Sequence, residues 1–244
     1  MGRVFVVSDV HGYPQIIENA LEHGRFDPSC DQLIFAGDVV DRGGNVEKCF
    51  ELLDRYSATC LLGNHDMAIL VGYHIPGQDR ENKRFLDRLR ANFLGNGTEG
   101  KWQVVCCVDG VVMSHAGVSA AYDALLAEEC GDDPAVLAAL LNDQTRRAVE
   151  HELATEWYDE SGVLGRCGPL RYRRFECPGL GLSKRFEQIV GHSPSTERLG
   201  RHVHMIDPAV HRESRSGRID SGRYRYAVIE NGSVQVLHGT LSSR

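Results

Sequence analysis

Two rhythms of apolar positions alternate along the chain. Short β-branched runs give way to longer stretches in which apolar side chains return every third or fourth residue, the order expected of strands followed by helices. Val4 to Ser8 predicts a strand, and Pro14 suits the first turn of a helix running to Glu22. Leu33 to Ala36 predicts a second strand. Val46, Cys49, Phe50, Leu52 and Leu53 then trace one face of a helix from Val46 to Tyr56, which returns the chain to a third strand at Ala58 to Leu62. Met67 to Val71 reads as helical behind it, and Arg80 to Phe93 as a surface helix closed by Gly95-Asn96-Gly97. Trp102 to Val108 and Val111 to Ser114 flank Asp109-Gly110, a type I′ hairpin signal. Helices are expected over Ala120 to Cys130 and from Pro134 to roughly Trp157. Tyr158 to Leu182 is irregular and rich in Gly, Pro and Arg, and a stretch of that length usually carries function or disorder. Gln188 to Val190 is a further strand; Val203 to Ile206 and the hairpin Tyr224 to Leu237, turning at Asn231-Gly232, are expected to complete a second sheet.

Polar side chains gather where these strands end, which is where sites form in open α/β sheets. Asp9 and His11 alternate along an extended segment and can face the same way, as two ligands of one cation do. Asp38 is the first polar residue past the second strand, an acceptor-only side chain whose two oxygens can bridge two cations, and Gly37 before it leaves room for a ligand. Asp41 and Arg42 add a second carboxylate and a forked cation suited to paired phosphate oxygens. Gly63-Asn64-His65-Asp66, Ser114-His115-Ala116-Gly117 and Gly191-His192-Ser193-Pro194 close three more strands. Each has a plain alternative. Asp9 and Asp66 can cap helices, Asn64 can sit in a left-handed turn, Arg42 can pair with Asp41 at the surface, and a lone histidine at a strand end is often a satisfied core residue. Taken together the six residues Asp9, His11, Asp38, Asn64, His115 and His192 form a pattern that those alternatives do not explain. Asp38 with Asp9 and His11 makes one cation site, and Asp38 with Asn64, His115 and His192 a second. Nitrogen and oxygen donors without a thiolate admit Mn2+, Fe, Zn, Co or Ni and disfavour calcium.

Charge narrows the partners. Lys and Arg total 27 against 34 Asp and Glu, and the net charge of -7 argues against a nucleic-acid groove as the main function. The first residues lack the apolar core of a secretion signal, and no apolar run reaches membrane-spanning length, so a soluble cytoplasmic protein is expected. The eight cysteines show no CxxC spacing and several lie in apolar runs, so free buried thiols are expected, with pairing or metal binding by Cys167 and Cys177 as the alternative. Arg166, Arg171, Arg173 and Arg174 punctuate the irregular stretch and could include a phosphate clamp. His202 and His204 share a strand face and could bind metal, but roles at the surface or in support of other ligands are expected for them.

The motifs DVHG at 9–12, GDVVDRG at 37–43, GNHD at 63–66, HAG at 115–117 and GHS at 191–193 resemble the calcineurin-like metallophosphoesterases over residues 9 to about 193. Asp-Arg-Gly at 41–43 and Ser193 after His192 resemble the bacterial type of the phosphoprotein phosphatase branch, the serine/threonine phosphatases, and GPLRYR at 168–173 is similar to a GPLWYR segment of some bacterial members. Asp66 stands where protein phosphatases usually carry Glu, as in symmetrical dinucleoside tetraphosphatases, which tend to lack the Asp found here at 41.

The resemblance implies a two-sheet β-sandwich flanked by helices. It also implies one domain over 1–244, with a helical and Arg-rich loop cap at about 120–182. It further implies two divalent transition ions, Mn2+ foremost, and a water acidified between them that attacks phosphorus in line. His65, oriented by Asp41, would protonate the leaving oxygen while Arg42 and Arg173 or Arg166 hold the phosphoryl oxygens. The implied substrate is a phosphorylated protein side chain or small phosphoester. The alternatives are a dinucleoside tetraphosphate, or a non-catalytic metal-binding module.

Overall fold

A computed structural model describes residues 2–95, 102–155, 162–193, 201–208 and 222–241. The helix stop at Asn96-Gly97, the end of the long helix at Trp157, residues 158–161 of the irregular stretch, Pro194 and most of the mobile loop that the sequence suggests over Arg212 to Arg223 lie outside them. Strands β1 (Val4–Val7), β2 (Gln32–Ala36), β3 (Thr59–Leu61) and β4 (Trp102–Gln103) run parallel in one six-stranded sheet. Helices α1 (Pro14–His23), α2 (Val46–Arg55) and α3 (Asn64–Val71) follow the first three. Strands β5 (Val105–Val108), β6 (Val111–Ser114), β7 (Glu187–Val190) and β8 (Val203–Met205) form the second sheet in that order, with β6, β7 and β8 parallel.

Alternation along each strand divides the core. Val4 and Val6, Ile34 and Ala36, and Leu61 turn inward to meet Val111, Met113 and Ile189 of the other sheet. Phe5 and Val7, Leu33 and Phe35 face the opposite way and receive Ile16, Ile17, Phe50 and Leu53 of the helices. Val112 points outward from the second sheet into the same cluster as Leu126 of α5 (Asp123–Glu129) and Leu137, Leu141 and Val149 of α6 (Pro134–Thr155), so helix, sheet, sheet and helix stack in layers.

Two strand pairings and one helix differ from the sequence expectation. Trp102 to Val108 is two strands, because the chain leaves one sheet for the other at Val104. Asn142 of α6 covers the break, its Oδ1 accepting from Val104 N at 2.8 Å and Val105 N at 3.0 Å and its Nδ2 donating to Val105 O at 2.7 Å. The terminal hairpin, β9 (Arg223–Glu230) and β10 (Ser233–Thr240), joins the first sheet rather than the second. Both faces of β9 are apolar, with Ala227 and Ile229 turned inward and Tyr226 and Val228 outward, and beside β1 both are covered. The expected Arg80 to Phe93 helix is a 3-10 segment, Arg80–Phe85, started by Asp79 accepting from Glu81 N, followed by α4 (Leu86–Leu94).

Cysteine usage also departs from expectation. Cys167 and Cys177 are joined in a disulfide, because the turn between them returns their Cα atoms to 6.0 Å. Of the free cysteines, Cys30 is exposed and Cys107 half-buried, while Cys49, Cys60, Cys106 and Cys130 are buried. Among the described residues no helix is long and apolar enough to cross a membrane.

Replacing Asn142 by Ala leaves two backbone N–H groups at the crossover without their acceptor. The expected cost is about 2 kcal/mol of unfolding free energy in urea titrations, at the lower range for two such groups because the site is part-buried. A loss below about 0.5 kcal/mol, the scale of an ordinary surface change, would show that Asn142 does not hold the crossover.

Candidate metal centre

The turns after β1, β2, β3, β6 and β7 converge at one edge of the sandwich. The first two are laced together: Asp9 N donates to Gly37 O at 2.8 Å, His11 N to Asp38 O at 2.9 Å and Gly12 N to Val39 O at 3.0 Å. This lacing demands unusual backbone. Asp9, His11, Asp38, Asp41, Arg42 and His192 all have φ between 43° and 72°, a left-handed region that side-chain-bearing residues rarely occupy, and such conformations collect at functional sites.

The side chains brought together are nearly all buried. Asp38 Oδ1 accepts from His65 N at 2.9 Å, at the start of α3, which leaves Oδ2 at 3.4 Å from both His11 Nε2 and His115 Nε2. His115 Nε2 also lies 3.1 Å from Asn64 Oδ1 and 3.1 Å from His192 Nδ1. Each key histidine has its other nitrogen committed to a carbonyl, His11 Nδ1 to Val40 O at 2.7 Å and His115 Nδ1 to Ala36 O at 3.0 Å. A carbonyl only accepts, so both Nδ1 atoms carry the proton and both Nε2 lone pairs point at the Asp38 oxygen. Lone pairs aimed at one another repel unless a cation or proton lies between them. His192 Nε2 is buried and has no hydrogen-bond partner. The donor set therefore fits divalent metal, and ligand atoms of Asp9, Asp38 and His115 lie within 4.8 Å of one another, as do those of His11, Asp38 and His65.

Electrostatics match. Burial alone would raise the Asp38 carboxyl, but His115, His65 and His11 hold it well below the usual carboxylate range. Burial lowers His115, yet Asp38 and Asp9 outweigh it and push its pKa up to about 10. Asp9 is raised well above its ordinary value by burial and then by Asp207, while burial, His115 and Arg173 depress His192. Asp9 does not cap α1, whose N-terminus carries no side-chain cap; its oxygens accept from His192 N at 3.1 and 3.0 Å.

His65 sits beside this cluster with both nitrogens engaged. Nδ1 meets Asp41 Oδ2 at 2.5 Å, and Nε2 is 3.2 Å from Arg42 Nη2. Asp41 is fully buried, and its other oxygen accepts from Asp79 N at 3.0 Å and Asn82 Nδ2 at 3.1 Å. Arg173 lies where its charge acts on His192, with Nε 4.0 Å from Glu176 Oε1. Arg166 is exposed, and its carbonyl meets Cys177 Sγ at 3.5 Å. His204 Nε2 pairs with Glu187 at 2.6 Å, away from these ligands in the second sheet.

One residue that holds the centre together was not singled out from sequence beyond a capping role. Asp66 is buried and its two oxygens accept from Gly63 N at 2.9 Å, Asp38 N at 2.8 Å, Val39 N at 3.0 Å and Val40 N at 3.3 Å. It caps α3 and splints the Asp38 turn at once. Burial, then the charge of Asp38, pushes its pKa up to about 7, against the pull of the backbone donors. The available signal was an acid in the first turn of a helix; the reach to residues 38–40 is tertiary.

The calcineurin-like phosphoesterase family model matches residues 2–220. The chain belongs to that family. A symmetrical bis(5'-nucleosyl)-tetraphosphatase of Erwinia tasmaniensis is 28% identical over 170 residues, covering 66% of this chain and 62% of the relative. One from Xylella fastidiosa strain 9a5c is 26% identical over 244 residues, covering 84% and 83%. Serine/threonine-protein phosphatase 1 of Salmonella typhimurium is 39% identical over 68 residues, 28% of this chain and 32% of the relative. The chain spans about three fifths of the length of several curated tetraphosphatases that it matches. A solved cold-active protein tyrosine phosphatase shares the fold, with a TM-score of 0.62 at 15% identity, covering 97% of this chain and 79% of that one. The calcineurin-like fold thus accounts for two sheets flanked by helices with polar turns at one edge.

Close packing makes Gly63 a direct test. A Cβ there would lie 2.0 Å from Asp38 Oδ1, whereas one at Gly44 would meet nothing within 4 Å. Gly63→Ala is expected to weaken Mn2+ binding about 10- to 100-fold in metal titrations, the range for disturbed ligand support, with Gly44→Ala as the unaffected control. Equal affinities in both variants would mean that the position of Asp38 does not govern metal binding.

Proposed function

We propose that this calcineurin-like chain is a binuclear metal-dependent phosphomonoesterase acting on phosphorylated serine or threonine side chains, in the cytoplasm and with Mn2+ as the working ion. The observation that carries the reading is the buried Asp41–His65 pair with Arg42 against it, set beside His11 and Asp38. Asp9, His11, Asp38, Asn64, His115 and His192 would hold the ions. When bound, divalent ions neutralise phosphoryl charge and acidify water so that a nucleophile exists near neutral pH.

The remaining steps belong to side chains. A guanidinium donates and never accepts, so in this structure His65 Nδ1–H faces Asp41 and Nε2 faces Arg42 with its lone pair. A phosphoryl group offers Arg42 a better acceptor pair. As Arg42 turns to those oxygens, Nε2 is released to carry a proton and deliver it to the departing oxygen. Asp41, pinned by Asp79 N and Asn82, keeps the ring aimed at that oxygen. Arg173 supplies a second cation to the phosphoryl oxygens, and Arg166 is the alternative.

An alkoxide needs that proton far more than the nucleoside diphosphate released from a dinucleoside tetraphosphate does, and this favours the monoester. The second reading, a symmetrical dinucleoside tetraphosphatase, draws on the Erwinia and Xylella relatives. The metal-loaded protein is expected to hydrolyse a phosphoserine peptide and p-nitrophenyl phosphate. A kcat/KM at least about tenfold higher for a dinucleoside tetraphosphate would transfer the assignment. His65→Ala should slow the phosphoserine peptide by roughly a hundredfold or more, and p-nitrophenyl phosphate, with its better leaving group, by less, at unchanged metal content. Equal losses on both substrates would mean that His65 does not protonate the leaving group, and loss of metal would make it a ligand.

A further inference from the structure

We propose that the Cys167–Cys177 bridge is a redox-modification site, with a dithiol as its co-substrate, through which the phosphate affinity of the metal centre is set by the placement of Arg173. The proposal rests on the reading above that a phosphoryl group binds there. Between Gly165 and Phe186 the described chain forms no helix and no strand beyond a single bridge from Ser119 to Leu182. An irregular segment of that length holds one shape only where something ties it. Its ties run straight to the centre. Pro169 O accepts from Ala116 N at 2.7 Å, next to His115, and Cys167 O accepts from Ser119 Oγ at 2.9 Å.

Arg173 is placed from the other end of the same ring. Its carbonyl accepts from Glu176 N at 2.9 Å and Cys177 N at 3.1 Å, so the turn that carries Arg173 closes on the bridged cysteine itself. Cys177 is packed with Tyr172, Ala116, Leu182 and Val190. When the bridge opens, that turn loses its covalent tether to Cys167, whose carbonyl is held by Ser119 Oγ. Glu176, already 4.0 Å from Arg173 Nε, is then free to draw the guanidinium from the histidines.

The two sulfurs are unequally accessible, Cys167 half-buried and Cys177 3% exposed. The thiolate of the reductant attacks Cys167 Sγ, the S–S bond breaks, and Cys177 leaves as a thiolate and takes up a proton. The second thiol of the reductant then displaces Cys167. The chain gains two electrons and two protons, and the reductant becomes a disulfide. In a thiol-buffered compartment a bridge of this kind is opened and closed rather than permanent.

The test is isothermal titration of Mn2+-loaded protein with inorganic phosphate. It compares the oxidised form, the form reduced with dithiothreitol and desalted anaerobically, and the Cys167→Ser/Cys177→Ser variant, with thiol alkylation and mass spectrometry reporting the bridge. Opening the bridge is expected to raise the phosphate Kd about tenfold, the scale of one charge-assisted contact, at constant metal content. The double serine variant should match the reduced protein. Arg173→Ala should show the same loss and no further response to reduction, which a merely structural bridge would not produce. A Kd that ignores the bridge, or additive losses, overturns the proposal alone. No phosphate binding in either redox form overturns the reading of the metal centre on which it rests.

Discussion

Everything at the polar edge of this sandwich depends on one carboxylate oxygen facing two histidine lone pairs. Asp38 Oδ2 stands 3.4 Å from His11 Nε2 and 3.4 Å from His115 Nε2, and both rings are locked in that sense by carbonyls behind them. Folding alone gains nothing from such an arrangement. Turning lone pairs together in a buried site is costly, and the cost is recovered only when positive charge enters.

The surrounding structure is built to sustain that arrangement. Asp66 fixes the Asp38 turn through three backbone donors and caps α3 through Gly63 N, and α3 delivers its own first-turn N–H from His65 to Asp38 Oδ1. Left-handed backbone at Asp9, His11, Asp38 and His192 is tolerated because loop-to-loop hydrogen bonds and the apolar core below over-determine it. Glycines admit the close approaches: a Cβ on Gly191 would lie 2.1 Å from Asp9 Oδ2. The acid–base pair is set just outside this frame, where Asp41 orients His65 without competing for the lone pairs.

Local periodicity made the strand–turn–helix units of the first half readable, since Val4–Val7, Gln32–Ala36 and Thr59–Leu61 each show a buried run ending in polar residues. Positions deciding the rest act over distance. The crossover at Val104 is invisible in an unbroken apolar run because the side chain that covers it, Asn142, lies 38 residues on. The destination of the last hairpin follows from the uncovered edge of β1, which no local pattern reports. Asn64, for which a left-handed turn was the plain alternative to ligation, begins α3. The Cys167–Cys177 pairing needed the folded turn of the Arg-rich segment, and Asp66 was legible as a cap but not as the splint of a turn 26 to 28 residues upstream. Six candidate ligands could be nominated from strand ends alone; their mutual distances could not.

The most direct measurement is electron paramagnetic resonance of the Mn2+-loaded protein at low temperature. Two ions sharing the Asp38 carboxylate are expected to give the multiline spectrum of an exchange-coupled pair, and Asp38→Asn to abolish it. A spectrum of isolated Mn2+ at full loading, unchanged by that substitution, would contradict a binuclear centre built on Asp38.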